Sequence, residues 1–452
     1  MDSSLSVVIL AAGAGTRMKS PTPKVLHTLC GKSMLALIIN QALELSDDIH
    51  IVLYHQAQRV QDMLQCEFGA LLDSTLHIHI QDVDRFPGTG GALRGIESKH
   101  HRVLVLNGDM PLVRSSSLKT LCARTEPIVM SLFWLQNPDG YGRVVLDSDE
   151  IHTIAQANPP KNPKVLKIIE QKDASAQELE IRSVNAGVYV FDRDVLTRYI
   201  PRLSNANAQK EYYLTDVVAL ARDEGVAIGG VFVSEGEYMG VNDKIHLTKA
   251  QEVLLARLRE HAMAQGVMMD MPHTIYIESD VVFEGECVLE NGVRICGKSV
   301  IRDSHIKAHS VIESSVVIKS DVGPMAHLRP NSHITRTHIG NFVELKSAHL
   351  EGVKAGHLSY LGDCEIGEGS NIGAGVITCN YDGKAKHKSI IGKNVFVGSD
   401  CQLVAPVRLE SNTLIAAGST ITHNVPSGAL AIARTKQHNK PGFFAKFFGK
   451  TK

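Results

Sequence analysis

The sequence has few aromatic residues, no excess of charge of either sign and no long hydrophobic run. Aromatic residues make up 5% of the 452 positions and Trp134 is the single tryptophan, which argues against the base-stacking surfaces of single-strand nucleic-acid binders. The 47 basic residues nearly balance the 48 acidic ones, so nucleic acid is not indicated as a partner. No run approaches the roughly 18 apolar residues that a membrane-spanning helix needs, so stable membrane insertion is not expected.

The residue pattern also predicts neither paired cysteines nor a signal segment. Its eight cysteines show no CxxC spacing and predict neither a zinc site nor a disulfide framework. The amino end has no basic segment, and the apolar run at residues 7–12 is too short for the core of a signal peptide. We therefore expect a reduced, cytoplasmic protein. The length of 452 residues exceeds what one hydrophobic core serves and predicts two or three domains.

What the second half does contain is an aliphatic residue at every sixth position. The repeated positions are Ile277, Phe283, Leu289, Ile295 and Ile301, then, after a one-residue slip, Ile306, Ile312 and Ile318, and later Ile391, Val397, Leu403, Leu409, Ile415 and Ile421. A period of six is typical of a parallel β-helix in which every sixth residue points into a narrow core. With three sides to each coil and strands ~4.8 Å apart, about eight coils are expected. Corners are expected at Ile-Gly and Val-Gly pairs, among them Ile339-Gly340, Ile372-Gly373 and Val397-Gly398.

In the first half, a glycine loop follows the first apolar run. Gly13 and Gly15 would let backbone N–H groups approach phosphate oxygens closely. A dinucleotide-binding fingerprint would need a third glycine at Met18, so that cofactor is disfavoured. Two glycines followed by the cations Arg17 and Lys24 suit a triphosphate, although a glycine turn with solvated charges would show the same spacing.

Predicted strands alternate with helices along the rest of the first half. We expect strands at residues 49–54, 77–81, 103–106 and 128–133, and a helix capped by Ser33. This pattern predicts an α/β sheet whose ligands bind beyond the carboxyl ends of the strands. Asp109 lies at such an end, where a carboxylate beside a phosphate loop is a natural Mg²⁺ ligand, with a simple turn aspartate as the alternative.

A long helix is predicted between the two halves. Residues 245–265 form one helical pattern that Gly266 ends. We interpret it as a linker without chemistry, and expect domains at residues 1–244 and 266–452.

Polar residues interrupt the hexads at residues 354–363 and 378–386. His357 lies in the first interruption, and Tyr360, Asn371 and Asn380 follow at spacings that neighbouring coils would bring within reach. A histidine with an ordinary pKa near ~6.5 can act as a general base at neutral pH. Because the chain has 21 histidines, an ordinary surface histidine is the alternative, and the β-helix could be a scaffold only.

The motifs of the first half resemble those of the sugar-phosphate nucleotidyltransferases. The resemblance is carried by Leu10-Ala11-Ala12-Gly13-x-Gly15-Thr16-Arg17-Met18, Pro23-Lys24, Gly88-Thr89-Gly90, Asn107-Gly108-Asp109, Gly140-Tyr141-Gly142-Arg143, Glu170-Gln171-Lys172-Asp173, Asn185-Ala186-Gly187 and Glu211-Tyr212-Tyr213-Leu214-Thr215-Asp216. With the hexad repeat, the chain resembles the bacterial family of bifunctional UDP-N-acetylglucosamine pyrophosphorylase/glucosamine-1-phosphate N-acetyltransferases. The resemblance implies a doubly wound, Rossmann-like α/β nucleotidyltransferase domain, joined by a long helix to a left-handed parallel β-helix of hexapeptide repeats.

This resemblance also implies two reactions and a nucleotide site. Glucosamine 1-phosphate would be acetylated from acetyl-CoA, and the product would react with UTP to give UDP-N-acetylglucosamine and pyrophosphate. The nucleotide and its sugar would be bound by Leu10, Ala11, Ala12, Gly13, Lys24, Gln81, Gly88, Thr89, Asn107, Gly108, Asp109, Gly142, Glu170, Asn185 and Asn242. Arg17 and Lys24 would stabilise phosphate charge, and Asp109 with Asn242 would hold Mg²⁺. Asn242 could equally cap the helix that follows it.

For the acetyl transfer, the resemblance makes His357 the general base. Arg329 and Lys346 would bind the sugar phosphate, and Tyr360 and Asn371 the sugar hydroxyls. The acetyl-CoA groove would be lined by Ala374, Asn380, Tyr381, Lys386, Ser399, Ala417 and Arg434, with Lys386 near its phosphates. A homotrimer with active sites between neighbouring β-helices is implied as well.

The sequence departs from the family pattern at four places. Residues 82–87 form a longer segment than usual before Gly-Thr, and Gly91 replaces a familiar histidine. Asn107 stands where a tyrosine is common, and His327 replaces an arginine. These changes leave the phosphate-binding residues intact and concern the uracil, sugar and sugar-phosphate contacts.

Two rival functions stay open at the level of the sequence. One is a pyrophosphorylase of single activity with a regulatory β-helix, and the other is a non-catalytic assembly subunit, against which the intact glycine loop and Asp109 argue. The basic, aromatic tail at residues 442–450 predicts a subunit-docking or disordered end, with a membrane-binding foot as the alternative.

Overall fold

The chain divides into two units within one helix. The computed structural model describes residues 5–139, 141–147, 159–160, 163–169, 171, 174–207 and 209–449. The units are Met1–Leu254 and Leu255–Lys452. The division falls inside the helix Lys244–Ala264, which is the long helix predicted from the sequence. In the described part of the chain, no helix is both long and apolar enough to cross a membrane.

The first unit is built on a mixed sheet. The strands of this unit are β1 (Leu5–Ala11), β2 (Thr28–Leu29), β3 (Lys32–Ser33), β4 (Ile49–Leu53), β5 (Leu76–Ile80), β6 (Arg102–Asn107), β7 (Ile128–Trp134), β8 (Arg143–Leu146), β9 (Val165–Ile169), β10 (Ser183–Asp192) and β11 (Ile228–Phe232). Strands β2 and β3 form a separate hairpin, and the others belong to the mixed sheet. The order across the sheet is β11-β7-β10-β6-β1-β4-β5. Strand β1 pairs in parallel with β4 and β6, whereas β10 is antiparallel to β6 and β7. The predicted α/β sheet is confirmed, and the antiparallel β10 is a feature that the sequence did not indicate.

Apolar side chains cover both faces of this sheet. Val7 and Ile9 of β1 belong to one buried cluster and Val8 belongs to another. Two-sided burial explains why β1 is an unbroken apolar run and not an alternating strand. The α-helices of the described residues are α1 (Met34–Leu43), α2 (Ala57–Phe68), α3 (Ser115–Cys122), α4 (Arg193–Tyr199), α5 (Thr215–Asp223), α6 (Glu235–Tyr238), α7 (Lys244–Ala264) and α8 (Phe443–Phe448).

Helix α1 begins where the sequence predicts. The Ser33 hydroxyl accepts a hydrogen bond of 3.1 Å from the Ala36 N–H and so caps the helix. Leu35, Ile38 and Ala42 are fully buried on the face that packs under the sheet. The cap and the apolar face therefore place the start of α1 directly after the β2–β3 hairpin.

The second unit is a parallel β-helix. Its strands are β12 (Met268–Met269), β13 (Tyr276–Ile277), β14 (Val282–Glu284), β15 (Val288–Leu289), β16 (Arg294–Cys296), β17 (Val300–Arg302), β18 (His305–Ile306), β19 (Val311–Glu313), β20 (Val316–Ile318), β21 (Asp321–Val322), β22 (His327–Leu328), β23 (His333–Thr335), β24 (His338–Asn341), β25 (Glu344–Glu351), β26 (Lys354–His357), β27 (Tyr360–Ile366), β28 (Asn371–Ile372), β29 (Ile377–Cys379), β30 (Ser389–Ile391), β31 (Phe396–Val397), β32 (Gln402–Val404), β33 (Val407–Leu409), β34 (Leu414–Ile415), β35 (Thr420–Ile421) and β36 (Leu430–Ala431). One side is a sheet of 10 strands from β12 to β36, which exceeds the expected eight coils. The hexapeptide β-helix is confirmed.

The core of the β-helix is a set of aliphatic columns in strict register. Ile295 pairs with Ile312, Ile312 with Leu328, and Leu328 with Leu345, and all four are fully buried. The prediction that Ile318 points into the core is wrong. Val317 pairs with Ile301 and is buried, while Ile318 is half-buried on the outside, because a second one-residue slip follows Ile312.

The predicted glycine corners are places of close approach between coils. A Cβ atom at Gly340 would lie 2.0 Å from the carbonyl oxygen of Gly356 on the next coil. Around Gly356 itself, nothing lies within 4 Å of such an atom. Gly340 is therefore sterically required, and Gly356 is not.

We expect Gly340→Ala to lower the local free energy of unfolding by about 1–3 kcal/mol, because the coils must separate to admit the methyl group. Gly356→Ala is the matched control and should change it little. Hydrogen exchange of the backbone amides in β24 and β26 measures both. Equal effects of the two substitutions would show that the corner yields without cost.

Candidate active sites

A cavity opens at the carboxyl ends of β1, β4 and β6 in the first unit. Its volume is about 430 Å³. The lining residues are Leu10, Ala11, Ala12, Gly13, Ala14, Lys24, Val25, Tyr54, Gln81, Val83, Pro87, Gly88, Thr89, Ala92, Asn107, Asp109 and Glu211. Gly13 and Lys24 of the predicted phosphate residues, and the predicted uracil residues Gln81, Gly88 and Thr89, thus lie around one space at the sheet edge where α/β ligands bind.

Two oxygen donors and two cations converge at the mouth of this cavity. The Lys24 ammonium lies 2.5 Å from Asp109 Oδ2 and 3.0 Å from Asn242 Oδ1. The Arg17 guanidinium donates a hydrogen bond of 2.8 Å to the same amide oxygen of Asn242. A carboxylate and an amide oxygen that face one cationic group are donors of the kind that Mg²⁺ takes in proteins, so this pair fits the predicted metal ligands.

The helix cap that competed for Asn242 belongs to its neighbour. The Asp243 carboxylate accepts a hydrogen bond of 2.9 Å from the His246 N–H, at the start of α7. That bond is also the main reason why the pKa of Asp243 lies below its usual range. Asn242 is therefore left to face the cations, which the sequence could not decide.

Gly15 allows the Lys24 side chain to pass the loop. Gly15 has φ +60°, and a Cβ atom there would lie 2.5 Å from Lys24 Cβ. Around Gly13 nothing lies within 4 Å of an added Cβ, and Gly13 lines the cavity. The two glycines of the motif thus differ: Gly15 is needed for close packing, and Gly13 leaves open space beside the backbone.

On the opposite side of the cavity, the Gln81 amide is tied to the segment that follows it. Its Nε2 donates to the carbonyl oxygens of Phe86 and Gly88, both at 2.9 Å. The Thr89 hydroxyl accepts a hydrogen bond of 3.1 Å from the Leu214 N–H, so it holds a second loop. The residues predicted to contact uracil therefore build the wall of the cavity as well as lining it.

The predicted sugar-binding residues are less closely grouped. Asn107 Nδ2 donates to the Gly187 carbonyl at 3.0 Å. Asn185 Nδ2 donates a hydrogen bond of 2.6 Å to the Tyr189 hydroxyl, and Asn185 Oδ1 accepts one of 2.9 Å from the Gly187 N–H. Of the predicted nucleotide-site residues, Gly108, Gly142, Asn185 and Asn242 are not part of the lining given above. Glu170 lies outside the residues that the structure describes.

In the second unit, cations gather on one side of the β-helix. Arg329 and Lys346 follow the paired core residues Leu328 and Leu345 on adjacent coils. Arg329 Nη1 donates to Glu344 Oε1 at 2.9 Å. The Lys386 ammonium lies beside Lys346 and lowers the pKa of Lys346 below its usual range. The structure thus places Lys386 next to a residue predicted to bind the sugar phosphate.

His357 ends β26 and its side chain is exposed in the single chain. It is separated by a two-residue corner from Tyr360, which begins β27 on the next side of the coil. Asn380 Nδ2 donates to Asp363 and lies 3.5 Å from the Tyr360 hydroxyl. Asn371 lies one coil beyond Lys354, on the side that ends in His357. The predicted sugar-binding residues Tyr360 and Asn371 therefore lie on the two sides of the β-helix that meet at the corner after His357.

Several of the predicted acetyl-CoA residues lie on successive coils along the axis of the β-helix. Ala374, Ser399 and Ala417 occur on consecutive coils: the Asp400 N–H donates to the Ala374 carbonyl, and the Gly418 N–H donates to the Ser399 carbonyl. Arg434 Cδ lies 3.8 Å from the Cβ position of Gly418. The Tyr381 side chain is exposed, and its backbone forms an antiparallel β-bridge with that of Lys386 across the loop that interrupts the hexads.

Comparison with known proteins shows the family of the chain. Residues 7–173 match the MobA-like NTP transferase domain, and residues 388–423 match six bacterial transferase hexapeptide repeats. The bifunctional protein GlmU of Helicobacter hepaticus is 58% identical over 98% of this chain and 97% of its own length. GlmU of Wolinella succinogenes is 56% identical, and GlmU of Nitratiruptor sp. is 53% identical, each over 99% of this chain and 100% of the relative.

The chain belongs to the GlmU family. This confirms the family identified from the motifs, and with it a bifunctional uridylyltransferase and acetyltransferase of UDP-N-acetylglucosamine and cell-wall synthesis.

The motifs did not identify every residue that lines the cavity of the first unit. Tyr54 and Glu211 line the cavity, and neither was assigned to it from the motifs. The signal for Tyr54 was its place directly after the carboxyl end of β4, where ligands bind in such sheets. Glu211 opens the Glu-Tyr-Tyr-Leu-Thr-Asp motif, but nothing in that motif indicates which side chain faces the pocket.

The cation pair of the second unit gives a titration that can be measured. Because Lys386 lies beside it, the Lys346 ammonium should release its proton at a lower pH than an ordinary lysine. In Lys386→Ala, the pKa of Lys346 should rise toward the ordinary lysine value, so that Lys346 keeps its charge to higher pH. NMR titration of the lysine side chains measures this, with Lys354→Ala on another side of the coil as control. An unchanged Lys346 titration in Lys386→Ala would contradict the arrangement.

Proposed function

We propose that the two units divide the two reactions, with uridylyl transfer at the cavity of the first unit and acetyl transfer along the edge of the second. The observation that carries the proposal is the convergence of Lys24, Asp109 and Asn242 at the mouth of a cavity large enough for a nucleotide. UTP and acetyl-CoA are metabolites of the cytoplasm, so we place the enzyme there.

In uridylyl transfer, an oxygen of N-acetylglucosamine 1-phosphate attacks the α-phosphorus of UTP, and the bond to the pyrophosphate leaving group breaks. Charge grows on the attacking and leaving oxygens, so positioned cations supply most of the catalysis. Arg17 and Lys24 hold the phosphates in place. Asp109 and Asn242 would bind Mg²⁺, which supplies further positive charge to phosphate oxygens when bound. Gln81 with Gly88 and Thr89 contacts the uracil, and Gly142, Glu170 and Asn185 hold the sugar.

In acetyl transfer, His357 takes a proton from the amino group of glucosamine 1-phosphate. The nitrogen then attacks the thioester carbonyl of acetyl-CoA, the C–S bond breaks, and the thiolate of CoA takes up a proton. Arg329 and Lys346 bind the phosphate of the acceptor, and Tyr360 with Asn371 binds its hydroxyls. The acetyl-CoA groove is lined by Ala374, Asn380, Tyr381, Lys386, Ser399, Ala417 and Arg434, with Lys386 near the phosphates of acetyl-CoA.

A second copy of the chain would complete this acetyl-transfer site. His357 is exposed in the single chain, whereas a general base works best where water is excluded. The open sides of the β-helix are surfaces on which neighbouring copies can pack, and a homotrimer closes such a contact with rotational symmetry. We therefore propose that the groove lies between β-helices.

The division of labour predicts opposite effects of two substitutions. His357→Ala should lower acetyl transfer by about 10²–10⁴-fold, because the general base is lost, and should leave uridylyl transfer unchanged. Asp109→Ala should lower uridylyl transfer by about 100-fold or more and should spare acetyl transfer. Separate assays with the two substrate pairs measure both. Loss of both activities in either folded variant would contradict the proposal, and a chain without acetyl transfer would favour the pyrophosphorylase of single activity.

Metal removal should act on one reaction only. We expect chelation by EDTA to stop pyrophosphate release and to leave thiol release from acetyl-CoA unaffected. Asn242→Ala should raise the Mg²⁺ concentration needed for half-maximal uridylyl transfer by about tenfold. Asp243→Ala is the matched control: it removes the cap of α7 and should lower the melting temperature by about 2–4 °C without changing the Mg²⁺ requirement. The same Mg²⁺ curve for both variants would rule out Asn242 as a ligand.

A further inference from the structure

We infer that Phe86, Gly91, Arg94 and Tyr212 form a clamp that fixes the Gln81 amide, and that this clamp makes the nucleotide cavity select uracil over cytosine. The inference rests on the proposed uridylyl transfer. Phe86 and Arg94 are positioning residues in it, because they act on the base through Gln81 and line no part of the phosphate site.

The neighbours of Gln81 determine which end of its amide faces the base. Two carbonyl oxygens, of Phe86 and Gly88, lie 2.9 Å from the amide on one side. Carbonyl oxygens only accept hydrogen bonds, so the group that faces them is the NH₂. Both of its hydrogens are then used, and the acceptor Oε1 is left as the group that Gln81 offers to a base in the cavity.

The Phe86 carbonyl reaches Gln81 because Gly91 has no side chain. A Cβ atom at Gly91 would lie 2.1 Å from that carbonyl oxygen and 2.6 Å from its carbon. The Phe86 N–H is itself bonded to the Asp82 carbonyl at 2.8 Å, which closes the segment into a turn. Any side chain at position 91 would push the Phe86 carbonyl away from Gln81 and break the hydrogen bond that this carbonyl accepts from the Gln81 amide.

Arg94 holds the ring of Phe86 from behind. Its guanidinium carbon lies 4.4 Å from the centre of the Phe86 ring and 5.2 Å from that of Tyr212, within the range of a cation–π contact. The Tyr212 N–H donates to the Pro87 carbonyl, and the Gly90 N–H donates to the Tyr212 carbonyl, both at 2.8 Å. The segment is thereby fixed on both its side-chain and its backbone faces.

A fixed acceptor distinguishes the two pyrimidines. Uracil carries a hydrogen on N3, which the Gln81 Oε1 can accept, whereas cytosine carries a lone pair on N3, which would face another lone pair. If the amide were free to turn, its NH₂ could donate to cytosine N3 and the distinction would be lost. Selectivity for UTP therefore depends on the clamp as well as on the glutamine.

The test is the ratio of kcat/KM for UTP to kcat/KM for CTP with N-acetylglucosamine 1-phosphate. Gly91→Ala displaces the Phe86 carbonyl and should lower this ratio by about tenfold or more, because one discriminating hydrogen bond is worth that much. Gly236→Ala is the matched control, since nothing lies within 4 Å of an added Cβ there, and it should leave the ratio unchanged. The circular dichroism spectrum and the melting transition of the same preparations check that each variant is folded, because acetyl transfer in the second unit does not report on the first.

Arg94→Met provides a second variant that keeps the length of the side chain and removes the guanidinium. It should lower the same ratio, mainly through a gain in the use of CTP. Calorimetric dissociation constants for UTP and CTP measure selectivity even where turnover is slow. Losses that are equal for UTP and CTP in both variants would show that the segment is only structural support and would overturn the inference. An unaltered chain that binds UTP in preference to CTP but releases no pyrophosphate would instead contradict the proposed function.

Discussion

Parallel strand pairing in register is the constraint on which both units depend. In the first unit it brings the carboxyl ends of β1, β4 and β6 to one edge of the sheet, so that a glycine loop, Tyr54 and Asp109 meet although they are distant in sequence. In the second unit it stacks residues that are one coil apart, so that Arg329 stands beside Lys346. Each site is therefore a consequence of how the backbone hydrogen bonds are satisfied.

Charge is balanced differently in the two sites. In the nucleotide site, Asp109 and Asn242 accept from the Lys24 ammonium, so the free protein already satisfies this cation. In the other site, Arg329 has Glu344 as partner, but the ammonium groups of Lys346 and Lys386 face each other. Asp363 lies near Lys346 and acts against this shift, so the repulsion between the two ammonium groups is offset only in part.

Much of the fold could be predicted from the sequence, because its strongest signals are periodic. The strands at residues 49–54, 103–106 and 128–133 and the long helix all appear near their expected positions. The hexad rule failed at Ile318, since a slip of one residue between Ile312 and Val317 moves the next side chain from the core to the outside. Periodicity gives the existence of coils, whereas their exact phase depends on corner geometry that residue types alone do not encode.

For the candidate sites, the sequence indicated which residues meet better than it indicated what each one bonds. By sequence Asn242 could be a helix cap, a metal ligand or both, and the structure shows only that the cap of α7 is Asp243, which accepts a hydrogen bond from the His246 N–H. Lys386 was expected near the phosphates of acetyl-CoA, and its contact with Lys346 comes from a loop whose path no motif describes. Side-chain partners of this kind depend on loop conformation, which local patterns specify least.

The two departures from the family pattern that lie near Gln81, at residues 82–87 and at Gly91, meet at one place in the structure. Taken separately, a longer segment at residues 82–87 and a glycine at position 91 each suggest a weakened site. In the structure the segment at residues 82–87 places the Phe86 carbonyl where a side chain at position 91 would stand, so this path of the segment requires a glycine at position 91. The Phe86 carbonyl accepts a hydrogen bond from the Gln81 NH₂, and this contact leaves the Oε1 of the amide for the base in the proposed reaction. The space that a side chain at position 91 would fill is therefore occupied by the backbone of a neighbouring segment, and that backbone orients the Gln81 amide.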